Sequence, residues 1–262
     1  MPGFSRFPAD YDYDYDYDYD ASGSSNVSPI GSDLLEDGER WPLLSASQFP
    51  RRYWDPQLYA LLTVIEFADT GWKSGSNSID LGPIPAPAKI EEELTQLAGY
   101  DFTHRNALLP EILKQRSNMA AYWLNLLMFS RKSHPATFEL VNIALRVGQF
   151  AAMHFKKKYN RPRPSQLSPS IFPIIAVPGH PAYPSGHATE GHLLSRCLCE
   201  LVPAAQIPLD KLAARVAKNR EVAGVHYPSD SEAGRLLSEG CFIHLQACET
   251  FNEVLTAART EW

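Results

Sequence analysis

Residues 135–164 read PATFELVNIALRVGQFAAMHFKKKYNRPRP, and they carry a clear helical pattern. Apolar residues recur along it at steps of three, four and seven positions, namely Phe138, Val141, Leu145, Ala152 and Phe155. That spacing places them on one face and predicts an amphipathic helix over 135–158. Because Pro162 and Pro164 cannot continue a helix, we expect this one to stop near Asn160.

Helical periodicity of the same kind covers most of the chain beyond residue 50. It predicts further helices near 53–71, 89–98, 105–132 (interrupted around Pro110), 185–201, 204–223 and 229–257. No segment alternates convincingly with the period of two that a strand requires. The proline-rich residues 159–183 are predicted to form a long ordered loop, and such loops are usually functional. The sequence therefore predicts an all-α helical bundle.

Charge is distributed unevenly along the 262 residues, whose net charge is −6. Residues 1–40 hold ten acidic side chains against two basic ones, and residues 10–20 alternate Asp and Tyr. Low hydrophobicity and like charges predict a disordered acidic tail over 1–50, followed by a single helical domain over 51–262. That domain is nearly neutral and has no basic block, so we expect no nucleic-acid partner.

The composition also predicts where the protein resides. No helical segment reaches the roughly 18 apolar residues of a membrane span, and no basic start followed by an apolar run marks a signal peptide. The four cysteines, Cys197, Cys199, Cys241 and Cys248, lack a Cys-x-x-Cys spacing, which favours buried thiols in a reducing compartment. We therefore expect a soluble, cytoplasmic protein.

Two clusters of polar residues flank the predicted loop. Lys156 stands on the last turn of the 135–158 helix, and Arg163 follows in extended chain. At the other end, Ser185 is a suitable N-cap for the next helix, and Gly186 allows close approach of a ligand to the backbone. The free amides of that first turn form an anion site, and His187 lies beside them where it can give a proton.

A third cluster comprises Arg220, His226 and Asp230. On one straight helix Arg220 and His226 would diverge, but Gly224 and Pro228 supply a break that allows them to converge. A carboxylate against one imidazole nitrogen fixes the tautomer and leaves the other nitrogen available as a nucleophile or ligand. With Lys156 and Arg163, the three clusters supply three cations, neutral donors and two histidines, which suit a tetrahedral or trigonal-bipyramidal oxyanion.

The order and spacing Lys-x6-Arg-Pro, Pro-Ser-Gly-His and Arg-x5-His-x3-Asp resemble the type 2 phosphatidic acid phosphatase (PAP2) and vanadium-dependent haloperoxidase superfamily. The similar region runs from about residue 150 to 235, and the absent spans suggest a soluble bacterial-type member. The third motif usually begins Ser-Arg, whereas this chain has Asn219-Arg220. The resemblance implies the helical bundle of that superfamily.

The resemblance also implies roles for individual residues. His226 would be the nucleophile that attacks phosphate, or the axial ligand of vanadate, with Asp230 orienting it. His187 would be the acid/base. The oxyanion would be held by Lys156, Arg163, Ser185, Gly186 and Arg220.

Two chemistries fit this set. A phosphatase would hydrolyse a small phosphate monoester through a phosphohistidine and would need no cofactor or metal, since three cations repel a metal cation. A haloperoxidase would use vanadate, peroxide and a halide, with His180, Met153 and Tyr183 as a possible halide or substrate pocket. The residues 159–164 look like those of bacterial acid phosphatases, whereas His180 looks like bromoperoxidases, and phosphatase is favoured. A non-catalytic phosphate-binding or interaction module remains a third interpretation, and the oligomeric state is open.

Overall fold

Ten α-helices make up most of this computed structural model, which describes Phe49 and residues 51–262. They are α1 (Pro56–Ala68), α2 (Pro87–Ala98), α3 (Phe102–Asn118), α4 (Ala120–Leu127), α5 (Pro135–Tyr159), α6 (Pro164–Leu167), α7 (Gly186–Cys199), α8 (Gln206–Val222), α9 (Pro228–Leu245) and α10 (Glu249–Ala258). Three short 3₁₀ turns cover Arg51–Tyr53, Pro203–Ala205 and Arg259–Glu261. Within these residues there is no strand, so the predicted all-α fold is confirmed. The predicted disordered tail lies outside the described residues, apart from Phe49.

The core lies between α5, α7 and their neighbours. Helix α5 packs against α1, α7 and α10, and α7 packs against α8 and α9. The largest buried apolar side chains of this core include Phe67, Trp72, Trp123, Phe155 and Phe251. Each such side chain contributes about 2 to 3 kcal/mol by leaving water, so their burial holds the helices together.

The helix ends that flank the three motifs lie where the sequence predicts them. Helix α5 stops at Tyr159, and Asn160 adopts the left-handed conformation (φ 47°) that ends it. Ser185 caps α7, accepting a hydrogen bond from the Ala188 amide. Gly224 (φ +78°) separates α8 from α9, which begins with Pro228. The polar residues of the motifs therefore stand at helix termini.

Two predicted helices differ from the structure. The helix predicted over 105–132 divides at Met119 and not at Pro110, which lies inside α3. Pro110 is exposed, so water can solvate the carbonyl that loses its partner there. The helix predicted over 229–257 divides at residues 246–248. There the Thr250 amide donates to the Glu66 carboxylate at 3.0 Å, so a contact with α1 decides where α10 begins.

The long segment between α5 and α7 is ordered by contacts with other elements, and α6 adds one helical turn to the predicted loop. Arg105 of α3 donates to the Phe172 carbonyl at 2.7 Å and to the Leu97 carbonyl at 3.2 Å. The Ile174 amide donates to the Ala223 carbonyl. These bonds hold the segment against the end of α8.

Two further sequence predictions concern burial and membrane spans. All four cysteines are buried free thiols, as predicted. Among the helices of the described residues, none combines the length and the apolar character that crossing a membrane requires.

Candidate active site

Lys156 organises the chain that leads into α7. It lies on the last turn of α5, is buried, and donates from Nζ to the carbonyls of Pro181 (2.8 Å), Ala182 (3.3 Å) and Pro184 (2.7 Å). An ammonium group has three donors, and these carbonyls use all of them. Burial, and then the nearby Arg163 charge, lower the pKa of Lys156 well below its ordinary value. Lys156 therefore fixes the approach to the second motif and supplies charge without a spare donor.

Arg163 connects the loop to the third motif. Its Nε donates to the His180 carbonyl at 3.0 Å, and Nη1 donates to the Val225 carbonyl at 2.7 Å. Nη1 also lies 3.0 Å from Nε2 of His226, and Nη2 lies 3.0 Å from Nδ1 of His180. Because a guanidinium only donates, Nε2 of His226 must accept, which assigns a neutral tautomer to His226. Nδ1 of His180 also lies 3.3 Å from the Pro181 carbonyl oxygen, so no single tautomer of His180 satisfies both of its contacts.

The first turn of α7 is pressed against α9. A Cβ added at Gly234 would lie 2.7 Å from the Ala188 Cβ and 2.8 Å from the Ser185 carbonyl oxygen, so only glycine permits this approach. The Ser185 amide also donates to the Asp230 carbonyl at 2.9 Å. Helix packing thus brings the second and third motifs together, although 45 positions separate Ser185 from Asp230.

His187 has two contacts that differ in kind. Its Nε2 lies 3.3 Å from the Gln115 carbonyl oxygen and 3.3 Å from Nη1 of Arg220. The first contact needs a proton on Nε2, and the second needs a lone pair there. Burial, and then the Arg220 charge, lower the pKa of His187 well below its ordinary value. This histidine is held less firmly than His226.

His226 is held by a carboxylate four positions further along the chain, in the first turn of α9. Its Nδ1 lies 3.0 Å from Oδ2 of Asp230, and the Tyr227 amide donates to the same oxygen at 3.0 Å. With Nδ1 carrying the proton, the lone pair is on Nε2. Burial, followed by the charges of Arg163 and Lys156, lowers the pKa of His226 well below its ordinary value. The imidazole is therefore neutral at neutral pH.

Behind Asp230 lies a buried ionic network that the sequence analysis missed. Arg161 donates to Oδ1 of Asp230 at 2.6 Å and to Oε2 of Glu93 at 3.0 Å, and its guanidinium lies 3.7 Å from the centre of the Tyr227 ring. Glu93, from α2, also accepts from the Ser229 amide at 2.7 Å. Burial raises the pKa of Asp230 while Arg161 opposes that shift, and three donors on the carboxylate are typical of its ionised form.

Asn219 stands where related motifs carry serine. Its Nδ2 donates to Oε1 of Gln115 at 2.9 Å and to Oε1 of Glu111 at 3.0 Å. Both partners belong to α3, and the backbone of Gln115 contacts His187. Asn219 therefore supports the wall beside His187.

These side chains adjoin a cavity of about 610 Å³. Of the residues predicted for the site, those that line the cavity are Met153, Lys156, His180, Gly186, His187, Arg220 and His226. Arg163, Ser185 and Asp230 do not line it and contact residues that do. Tyr183 does not line it either, which corrects its assignment to a substrate pocket. Its ring packs on Tyr159 and its hydroxyl donates to the Leu81 carbonyl at 3.2 Å.

Other cavity residues were not predicted from the sequence, among them the buried Glu190 and the cations Arg116 and Arg146. Glu190 lies three positions after His187 and shares its helix face, a spacing that could have indicated it. Arg161 lies two positions before Arg163, and this closeness to a predicted site residue could have indicated it. Nothing in the sequence indicates Glu93, which is 68 positions from Arg161.

Comparisons with known proteins agree with the arrangement of motifs. Residues 138–252 match the family model described as the PAP2 superfamily. A non-specific acid phosphatase of Salmonella typhimurium is 31% identical over 137 residues, which are 50% of this chain and 54% of that protein. A non-specific acid phosphatase of Providencia stuartii is 27% identical over 127 residues, which are 47% and 51% of the two chains.

The chain thus spans about half the length of these curated relatives. A crystal structure from Bacillus subtilis, described as the first transmembrane PAP2 type phosphatidylglycerolphosphate phosphatase, has a TM-score of 0.34 and 17% identity. That alignment covers 73% of this chain and 94% of the other.

Proposed function

We propose that the protein is a phosphatase that hydrolyses phosphate monoesters through a phosphohistidine intermediate on His226. The observation that carries this proposal is the tautomer of His226. Asp230 holds the proton on Nδ1, and the Nε2 lone pair belongs to a residue lining a cavity rich in positive charge. The acid phosphatase relatives support the same class of reaction.

Substrate binding uses the cations and the first turn of α7. The phosphate oxygens take donors from Arg220, from the backbone amides at Gly186 and His187, and from Arg163, which turns from Nε2 of His226 to a phosphate oxygen. Lys156 contributes through its charge, because its donors hold the loop carbonyls. The bound dianion is stabilised where the negative charge of the transition state develops.

Chemistry then proceeds in two displacements. Nε2 of His226 attacks phosphorus, an N–P bond forms, and the P–O bond to the alcohol breaks as His187 gives that oxygen a proton. Water next attacks the phosphohistidine, His187 takes its proton, the N–P bond breaks and inorganic phosphate leaves. Because the pKa of His187 is low in the free protein, the substrate monoanion delivers the proton on binding.

The test measures phosphate release from p-nitrophenyl phosphate together with trapping of the phosphorylated protein. We expect turnover that orthovanadate inhibits, an acid-labile phosphohistidine, and loss of both in His226→Asn. His104→Gln, an exposed histidine on α3, is the matched control and should retain activity. Absence of phosphate release between pH 4 and pH 8 would contradict the proposal and favour a non-catalytic phosphate-binding module.

Vanadium-dependent halide oxidation is the second candidate function, and the contact of His180 with Arg163 favours it. Vanadate would bind Nε2 of His226 and the same cations, and it would supply activation of peroxide. The residues fit such a group, because the donors that suit a phosphoryl transition state also suit vanadate. Bromination of an indicator dye that requires vanadate, peroxide and bromide would support this function, and activity without vanadate would exclude it.

A further inference from the structure

The cavity extends along α5, well beyond the residues of the three motifs. Arg146, Gln149, Met153 and Lys156 all line it, and their spacing of three, four and three positions places them on one helix face. Ten residues of α-helix rise about 15 Å, so Arg146 and Lys156 mark two separate ends. A phosphate group at the Lys156 end leaves most of the 610 Å³ to the rest of the substrate.

Arg146 is oriented by neutral groups. Its Nη2 donates to Oε1 of Gln57 at 2.9 Å, and Nη1 donates to Oε1 of Gln149 at 3.4 Å. Among the residues that the structure describes, no carboxylate lies within 4.0 Å of it, whereas the arginines Arg51 and Arg215 each pair with a glutamate. The amides fix the direction of the guanidinium without pairing its charge directly, so it can receive an anionic group from the cavity, which Glu190 also lines.

The wall between the two ends is largely apolar. It includes Phe150 and Met153 from α5 and Leu61 and Val64 from α1. A ligand that reaches from one end to the other must therefore combine an apolar middle with polar termini.

We propose that Arg146 forms a second anion-binding subsite, which receives a negatively charged group at the far end of the alcohol part of the substrate. The inference rests on the proposed phosphatase function and narrows its substrate class. The substrate is a phosphate monoester of a long, largely apolar alcohol whose other end carries a carboxylate or a second phosphate. Arg116, which lines the same cavity, adds positive charge.

The kinetic test uses linear ω-carboxyalkyl phosphates of increasing chain length, each paired with the carboxamide of the same length. For the wild-type protein we expect kcat/KM to favour the carboxylate about tenfold, as one charged hydrogen bond implies, at the length that spans the cavity. The ratio should fall to about one in Arg146→Gln and be partly restored in Arg146→Lys. A terminal phosphate in place of the carboxylate shows which anion the subsite prefers.

Arg196→Gln is the matched control. It removes the same charge from an exposed arginine of α7 that pairs with Glu200, and it should keep the wild-type ratio. A ratio near one in the wild-type protein at every length, or a ratio that persists in Arg146→Gln, overturns the proposed subsite.

A binding measurement separates this inference from the proposed reaction. The corresponding phosphonates cannot be hydrolysed, and calorimetric titration gives their affinities for the wild-type protein and the variants. An Arg146-dependent preference for the carboxylate, without release of phosphate from any ester, supports the subsite and rejects the phosphatase. Release of phosphate together with equal affinities for carboxylate and carboxamide supports the phosphatase and rejects the subsite.

Discussion

The two histidines of the second and third motifs, His187 and His226, are supported very differently. His226 has a defined partner on each ring nitrogen, and Asp230 behind it is held by Arg161, which also pairs with Glu93. His187 has two long contacts on the same nitrogen, and these require opposite protonation states of Nε2. One imidazole is locked in a single tautomer, whereas the other is poised between two.

This difference suits the two proposed roles. A nucleophile gains from a fixed lone pair, because orientation that is present before binding does not have to be established in the transition state. An acid that must also act as a base gains from a ring nitrogen whose proton no single partner fixes, because that nitrogen gives a proton in one step and takes one in the next. Substitutions at His226, at His187 and at the residues that support them should therefore differ in their effects.

The largest expected effect is that of His226→Asn. Removal of the attacking nitrogen should lower kcat for every phosphate ester by roughly 10⁴-fold or more, because no other group takes its place. Phosphate release and phosphoprotein trapping measure it. Retention of more than a hundredth of the activity would show that His226 is not the nucleophile.

Asp230→Asn should lower kcat by about 10³-fold through the tautomer of His226. If the amide oxygen faces Arg161, its NH₂ group faces Nδ1 of His226, and the ring proton is forced to Nε2. Nitrogen NMR of the labelled imidazoles reports the protonated nitrogen directly. An unchanged tautomer with reduced activity would assign Asp230 to a different role.

Arg161→Met should destabilise the protein by about 3 to 5 kcal/mol, because it leaves Asp230 and Glu93 as buried, uncompensated charges. Arg51→Met breaks the half-exposed ion pair with Glu139 and serves as the comparison, with an expected loss under about 1 kcal/mol. Chemical denaturation measures both. Equal losses in the two variants would mean that the network behind Asp230 is not a special support.

His187→Asn should have an effect that depends on the leaving group. For alkyl phosphates, whose alcohols need a proton to leave, we expect a loss of about 10²- to 10³-fold. For p-nitrophenyl phosphate the loss should be much smaller, since nitrophenolate leaves without one. A plot of rate against the pKa of the leaving group is the measurement, and an equal loss across the series would contradict an acid role.

The smallest expected effect is on stability at low pH. The pKa of His226 is lowered on folding, and that of His180 is lowered to about 4, so the unfolded chain binds protons first as the pH falls. Above about pH 6.5 these histidines are neutral in both states. Below that pH the free energy of unfolding falls by roughly 1 kcal/mol per pH unit for each histidine. Denaturation between pH 7 and pH 5 should therefore show a slope that His180→Gln reduces.

Much of the fold could be predicted because helical periodicity is a local property. The ends of α5, α7 and α8 depend on Pro162, Ser185 and Gly224, which act on the few residues beside them. The division between α9 and α10 could not be predicted, because Glu66 of α1 bonds the Thr250 amide from 184 positions away.

In the candidate site, too, contacts between residues close in sequence could be predicted and those between distant residues could not. The structure places His226 against Asp230 because Asp230 stands in the first turn of α9 and His226 lies just before that turn. Arg161 went unrecognised because its partners come from α2 and α9, and a solvated arginine would give the same sequence pattern. Tyr183 was assigned to the pocket because it adjoins the second motif, but its partners Tyr159 and Leu81 direct it into the core.

Local sequence patterns account for the helical character, for the ends of the helices beside the three motifs, and for the charged groups that these motifs supply. Only the packing of distant segments brings Arg161 and Glu93 behind Asp230, directs the donors of Lys156 to the loop, and places Arg146 on the same cavity. Periodicity and capping act between neighbours in the chain. Burial and ion pairing depend on which distant segments meet when the helices pack.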